Sequence, residues 1–193
     1  MVYCNSAEDD DVGLSVLLVL QLHMNTRFLV DEEHRRFAIE VVCDDRREYH
    51  VRLKRKGYYV GHARCPYLGR DTWTEGDLFI TDGSVDTLEL LARDSSNLII
   101  DANDPCRFSL SQSAQKQKGI DYRHHGLGSE LLKFVIEQAR NLGIRHIYGS
   151  IVQRDIDQTP NLLEWYQRHG FVLCQDSPRG LANAVAHVHL DLR

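Results

Sequence analysis

The clearest periodic pattern in the chain runs from about residue 128 to 143. Leu131, Leu132, Val135, Ala139 and Leu142 recur at helical spacing, with Glu130, Lys133, Glu137 and Arg140 on the other side. Lys133 and Glu137 stand four apart, the spacing of an ion pair, and Gly143 lies where a helix C-terminus favours glycine. Upstream the period changes to two. "FAIEVV" at 37–42 has β-branched and aromatic weight and reads as a strand. In "EYHVRLKRKGYYVGHARC", 48–65, Tyr49, Val51 and Leu53 point one way and His50, Arg52 and Lys54 the other. Gly57 falls at a turn, which predicts a hairpin. "TWTEGDLFI", 72–80, reads as the third strand of that meander.

Residues 83–120 break the pattern. "LELLA" and "NLII" suit a short helix and a short strand, whereas "SLSQSAQKQKG" is polar, low in complexity and loop-like. So long a segment inside a compact domain reads as an insertion, a lid or a disordered segment, here an inserted and partly flexible one. After the amphipathic helix come a strand at 144–152 and a short helix at 161–170 behind Pro160. "FVLC" and "AVAHVHLDL" give two last strands. The order is a β meander, then α, β, α, β, β: a mixed α/β (α+β) domain, antiparallel at first with a βαβ-like unit later.

Composition narrows the picture only slightly. The 193 residues suit one domain able to bury a sizeable core. An apolar share of 42%, a charged share of 26% and a net charge of −5 suit a soluble globular chain and offer no basic face for nucleic acid. Five scattered cysteines include no CxxC pair, so neither a zinc site nor a disulfide framework is expected, and a reduced, cytoplasmic protein is the simplest reading. His187 and His189 share a strand face, a weak metal-binding pattern beside a plain solvated face; no metal site is expected. The apolar run at 12–24 is too short for a membrane span and follows acidic residues, so a buried element or a dimer-forming one is expected, and no membrane partner.

The candidate chemistry sits in "IDYRHHGLGSELLKF", 120–134. A diphosphate needs several converging donors with no bulky side chain between them. A helix N-terminus supplies unpaired N–H groups and the positive end of the helix dipole. Gly126 and Gly128 leave room, and Arg123 adds a cation at the mouth. An ordinary two-glycine turn before a core helix explains the same residues. The dinucleotide pattern GxGxxG and the P-loop GK[ST] are both absent.

Two spacings carry a resemblance. Arg123, Gly126 and Gly128 match [QR]-x-x-G-x-[GA]. Asn161, Tyr166, Gly170 and Phe171 match N-x-x-x-x-x-Y-x-x-x-G-F. Together they resemble the two cofactor segments of the GCN5-related N-acetyltransferase (GNAT) superfamily, most convincingly over 121–174. The resemblance implies a GNAT fold: a mostly antiparallel central sheet with flanking helices and splayed fourth and fifth strands. The N-terminal helical region would be reduced and 83–120 inserted after the fourth strand, all within one acetyltransferase domain over 1–193.

It further implies acetyl-CoA as cofactor. The diphosphate would lie on Arg123, His124, His125, Gly126, Leu127, Gly128 and Ser129, with Asn161 and Tyr166 in the second cofactor segment. The pantetheine arm would lie along main-chain groups of Leu78, Phe79 and Ile80. Tyr166 matches the phenol that protonates the leaving thiolate, although a core tyrosine would read alike. His124 and His125 suit phosphate donors and plain loop histidines equally. Asp77 and Glu75, on one face of a strand, are the carboxylates available as base or substrate anchor. "GDLFI" resembles the "EDLFV" of polyamine acetyltransferases but has Gly76 in place of the first acid, which weakens a polyamine assignment. The acceptor implied is a small-molecule or peptide primary amine, and a homodimer fits the pattern. The alternative is a non-catalytic acyl-CoA-binding module whose insertion serves a partner.

Overall fold

The computed structural model describes residues 27–44, 48–74, 77–84, 88, 91, 98–101, 104–110, 116–174, 181 and 183–193. The apolar run at 12–24 and the Glu75–Gly76 pair lie outside them.

A five-stranded antiparallel sheet holds the first half, in the order β1-β2-β3-β4-β6. Its members are β1 (Phe28–Val30), β2 (Arg36–Asp44), β3 (Glu48–Arg55), β4 (Tyr58–Pro66) and β6 (Asp77–Ile80), with β5 (Thr72–Thr74) lying elsewhere. The alternation predicted for β3 holds, since Tyr49, Val51 and Leu53 are all fully buried. Lys56 and Gly57, both with positive φ, make the β3–β4 turn.

A second sheet has the order β10-β11-β9-β5, built from β9 (His146–Val152), β10 (Val172–Cys174), β11 (Ala184–Asp191) and β5. Helix α1 (Leu127–Asn141) packs against β1, β4 and β6 and buries Leu127, Leu131, Leu132, Val135 and Ala139. Two short helices follow β9: α2 (Gln153–Gln158) and α3 (Leu162–Arg168). The core gathers Phe37, Tyr49, Val51, Leu53, Trp73, Leu131 and Val188, with Trp73 stacked on Tyr49 at 4.8 Å.

Several expectations need correcting. Residues 72–80 are not one strand. β5 pairs in parallel with β9 through Thr74↔Tyr148, and β6 pairs antiparallel with β4, so this stretch crosses from one sheet to the other within two residues. Lys133 pairs with Glu130 rather than Glu137, which reaches Arg27 instead. The short strand β1 and helix α2 were not apparent in the pattern. The stretch expected as a polar loop is partly ordered: Ser109 and Leu110 end β8 (Asp104–Leu110), which pairs with β7 (Leu98–Asp101). Farther on, buried Gln117 accepts from the Tyr122 hydroxyl at 2.7 Å.

The insertion is closed at its feet. Gly119 N–H donates to Gly83 O at 2.8 Å, and Tyr122 N–H donates to Thr81 O at 3.1 Å. Gly83 has φ +73, and a Cβ there would lie 2.4 Å from Ile120 O. Only glycine fits where the two feet touch. Residues 84–118 thus leave and rejoin at one point, and the end of β6 abuts the turn before α1 as though nothing intervened.

Candidate active site

The turn at 123–126 is held in shape by its neighbours. His124 (φ 60) and Gly126 (φ 77) both take left-handed backbone, which curls the chain into a concavity ahead of α1. Gly126 is the N-cap, and the first intrahelical bond is Glu130 N–H to Gly126 O. Among the described residues no acceptor takes the N–H of His124, His125, Gly126, Leu127, Gly128 or Ser129. Six main-chain donors therefore cluster at the positive end of a 15-residue helix.

An acidic hairpin braces the turn from behind. Buried Asp31 accepts from the backbone N–H of Glu33 and Arg35 and from the Arg35 guanidinium, which fixes the β1–β2 connection. Burial pushes the Asp31 carboxyl up, but these bonds outweigh it and leave it below the usual range. Glu32 N–H then donates to His125 O at 3.0 Å, and Glu33 Oε1 lies 2.9 Å from His125 Nδ1. Arg123 is gripped by Asp121 at 2.9 Å and approaches Asp82 at 3.7 Å. The concavity thus relies on main-chain donors more than on loose cations. His124 is exposed on its rim.

Three separately predicted segments meet there. A Cβ built on Gly128 would touch Trp165 Cζ2 at 3.9 Å and Leu78 Cδ2 at 4.0 Å, so β6, the turn and α3 converge on one spot. Trp165 Nε1–H donates to Ser129 Oγ at 2.9 Å and fastens α3 to the first turn of α1. Neighbouring Tyr166 is buried, edge-on to Trp165 at 4.8 Å and to Phe171 at 5.3 Å. Asn161 is the exposed N-cap of α3.

Two strand edges are left without a pairing strand. β6 pairs only with β4, leaving the edge that carries Leu78, Phe79 and Ile80 without a strand partner among the described residues. β9 pairs with β5 only through Tyr148, so the edge of Gly149–Val152 that faces away from β11 is likewise unpaired there. The two sheets part where β5 gives way to β6.

Asp77 opens β6 with its side chain 47% exposed, and its Oδ2 lies 2.9 Å from Nε2 of His62 on β4. His62 was not singled out from the sequence. Continuing the β3 alternation through the Gly57 turn puts it on the face of His50, but only the β4–β6 register brings it to Asp77. Glu75 lies outside the described residues. Among those described, no group of three or more His, Cys, Asp or Glu side chains could hold a metal ion. His187 meets Ser150 at 3.0 Å and His189 meets His146 at 3.2 Å. No described helix is long and apolar enough to cross a membrane.

Residues 121–171, which hold the turn, α1, β9 and α3, match the model of the acetyltransferase (GNAT) family. Over that stretch the chain is similar to GNAT acetyltransferases. Over 53 residues it is 34% identical to the uncharacterized protein YocC of Bacillus subtilis, covering 28% of this chain and 32% of YocC. It therefore spans about a third of that curated relative. A cAMP-binding acyltransferase from Mycobacterium smegmatis superposes with a TM-score of 0.50 at 9% identity, over 96% of this chain and 54% of that one. At such low identity the likeness concerns the fold alone. A GNAT family acetyltransferase from Elizabethkingia anophelis, solved with acetyl-CoA bound, matches with a TM-score of 0.43 at 11% identity, over 75% of this chain and 76% of that one. The mixed α/β fold, with its antiparallel sheet and few helices, is similar to that of the Mycobacterium smegmatis acyltransferase.

Proposed function

We propose that the chain is an acetyl-CoA-dependent N-acetyltransferase acting on a primary amine of a small molecule or peptide. One observation carries this reading: Gly128, Trp165 and Leu78 meet at one point, beside unengaged N–H groups and an open strand edge. These features fit acetyl-CoA, whose diphosphate needs main-chain donors at a helix N-terminus and whose amide-bearing arm can pair with a strand edge. Acetyl-CoA supplies an acyl group activated as a thioester.

The N–H groups of 124–129 bind the diphosphate, with His124 at the rim and Arg123 reaching it from between Asp121 and Asp82. The main chain of Leu78, Phe79 and Ile80 holds the arm, and N–H groups of β6 face the charge that develops on the thioester oxygen. Tyr166, its ring fixed by Trp165 and Phe171, gives a proton to the departing sulfur. Asp77, half-exposed at the far end of β6, accepts the proton of the amine.

The test is thiol release from acetyl-CoA in a panel of amines, alongside thermal unfolding with the cofactor. Wild type is expected to release thiol with at least one amine. It should also gain about 2.7 kcal/mol of stability at a hundredfold excess of acetyl-CoA over its dissociation constant. Tyr166→Phe should keep that gain and lose about a hundredfold in turnover. A thermal gain with no thiol release from any amine would instead point to a binding module.

A further inference from the structure

The β3–β4–β6 sheet has a second face that the phosphate cradle does not use. Register puts Cys65, Ala63, Leu78 and Ile80 on the core side with Tyr49 and Val51. His50, His62, Arg64, Asp77 and Phe79 therefore share the opposite side. On this face an imidazole is hidden behind an open carboxylate: His62 is 5% exposed, while the Asp77 side chain is 47% exposed. His50 stands edge-on to the His62 ring at 5.6 Å, and Phe79 lies 5.8 Å away. Arg64, the nearest cation along β4, is engaged by Glu48 on β3.

An ionised carboxylate can only accept, so the 2.9 Å contact places a proton on His62 Nε2 and a hydrogen bond on Asp77 Oδ2. One carboxylate oxygen is thus tied to a walled-in ring, and the other has no hydrogen-bond partner among the described residues. The location matters as much as the pairing. The turn at 123–129 adjoins the C-terminal end of β6 through Tyr122 and Thr81. An arm running from that turn along β6 passes Ile80, Phe79 and Leu78 and reaches Asp77 last, after about 13 Å at 3.3 Å per residue. Asp77 is also where β6 parts from the β5–β9 pair.

We infer that His62 is the positioning residue of the acyl transfer: its Nε2–H fixes Asp77 so that the free carboxylate oxygen meets the amine. This rests on the acetyltransferase reading above. In the step, the amine lone pair forms the C–N bond at the thioester carbon. The C–S bond breaks with its electron pair on sulfur, which takes the Tyr166 proton. The proton shed by nitrogen goes to Asp77, and exchange with solvent restores both groups.

The experiment compares wild type, His62→Gln, His62→Leu and Asp77→Asn in steady-state thiol release, with acetyl-CoA binding measured by calorimetry on each. Gln presents an N–H at about the reach of Nε2, whereas Leu presents none. His62→Gln should keep at least a third of the wild-type kcat. His62→Leu should lose at least thirtyfold and Asp77→Asn at least a hundredfold, with acetyl-CoA affinity unchanged in all three. His62→Leu within threefold of wild type, His62→Gln no better than His62→Leu, or a fully active Asp77→Asn would each overturn the inference while the enzyme reading stands. A wild type that neither binds acetyl-CoA nor releases thiol would overturn that reading and the inference with it.

Discussion

Gly126 and Gly128, separated by Leu127, have different reasons to be there. Gly126 has φ +77, and a Cβ on it would lie 2.9 Å from Glu32 Oε1. Gly128 has no such backbone demand, and its Cβ would make only ordinary contacts at 3.9 and 4.0 Å. The motif's tolerance of alanine at the second position alone follows from this difference. Gly126→Ala should therefore cost about 1–2 kcal/mol in urea unfolding and weaken acetyl-CoA binding, because the left-handed backbone and the Glu32 brace must both give way. Gly128→Ala should leave stability within about 0.5 kcal/mol of wild type. Equal costs for the two would contradict the geometry.

At the scale of elements, the polar face of β3 and β4 makes stability depend on pH. His50 is buried on β3, and its Nε2 has no partner among the described residues. Burial, reinforced by Arg52, His62 and Arg64, pushes its imidazole down to about 4. The unfolded chain, near the usual 6.5, binds this proton more readily than the fold does. Stability is then full above about pH 6.5 and declines as pH falls toward 4, by up to about 3 kcal/mol for this group. Asp31, held below the usual carboxylate range, acts in a lower window, losing its contribution below about pH 4. Urea midpoints between pH 7.5 and 4.5 should drop in wild type and drop much less in His50→Leu; parallel curves would contradict this assignment.

The same elements show what could be read from the sequence. The β3 and α1 patterns gave their buried faces because one period applies throughout each. The turn and α3 were legible because Gly126, Gly128, Tyr166 and Phe171 stand at fixed spacings. The split of 72–80 was not, because Trp73 and Leu78 look alike in a pattern whichever sheet they join. Neither was the pairing of His62 with Asp77, which depends on the β4–β6 register, set although β5 separates the two strands in sequence. The acidic brace was hidden for the same reason: "DEEHRR" reads as a solvated patch until β1 and β2 fold it onto His125.

At the scale of the whole molecule, the two sheets and α1 form a frame in which the outer edges of β6 and of Gly149–Val152 lack a strand partner among the described residues, with the turn adjoining β6 and α3 fastened to α1. The insertion leaves this frame intact because its feet meet at Gly83 and Ile120. The proposed activity depends on the turn's main-chain hydrogens holding a diphosphate, which backbone amide NMR during an acetyl-CoA titration would reveal. The amides of Gly126, Gly128 and Ser129 should shift together with those of Leu78 to Ile80, saturating at one equivalent. Saturating acetyl-CoA that leaves the 124–129 amides unmoved would contradict the claim.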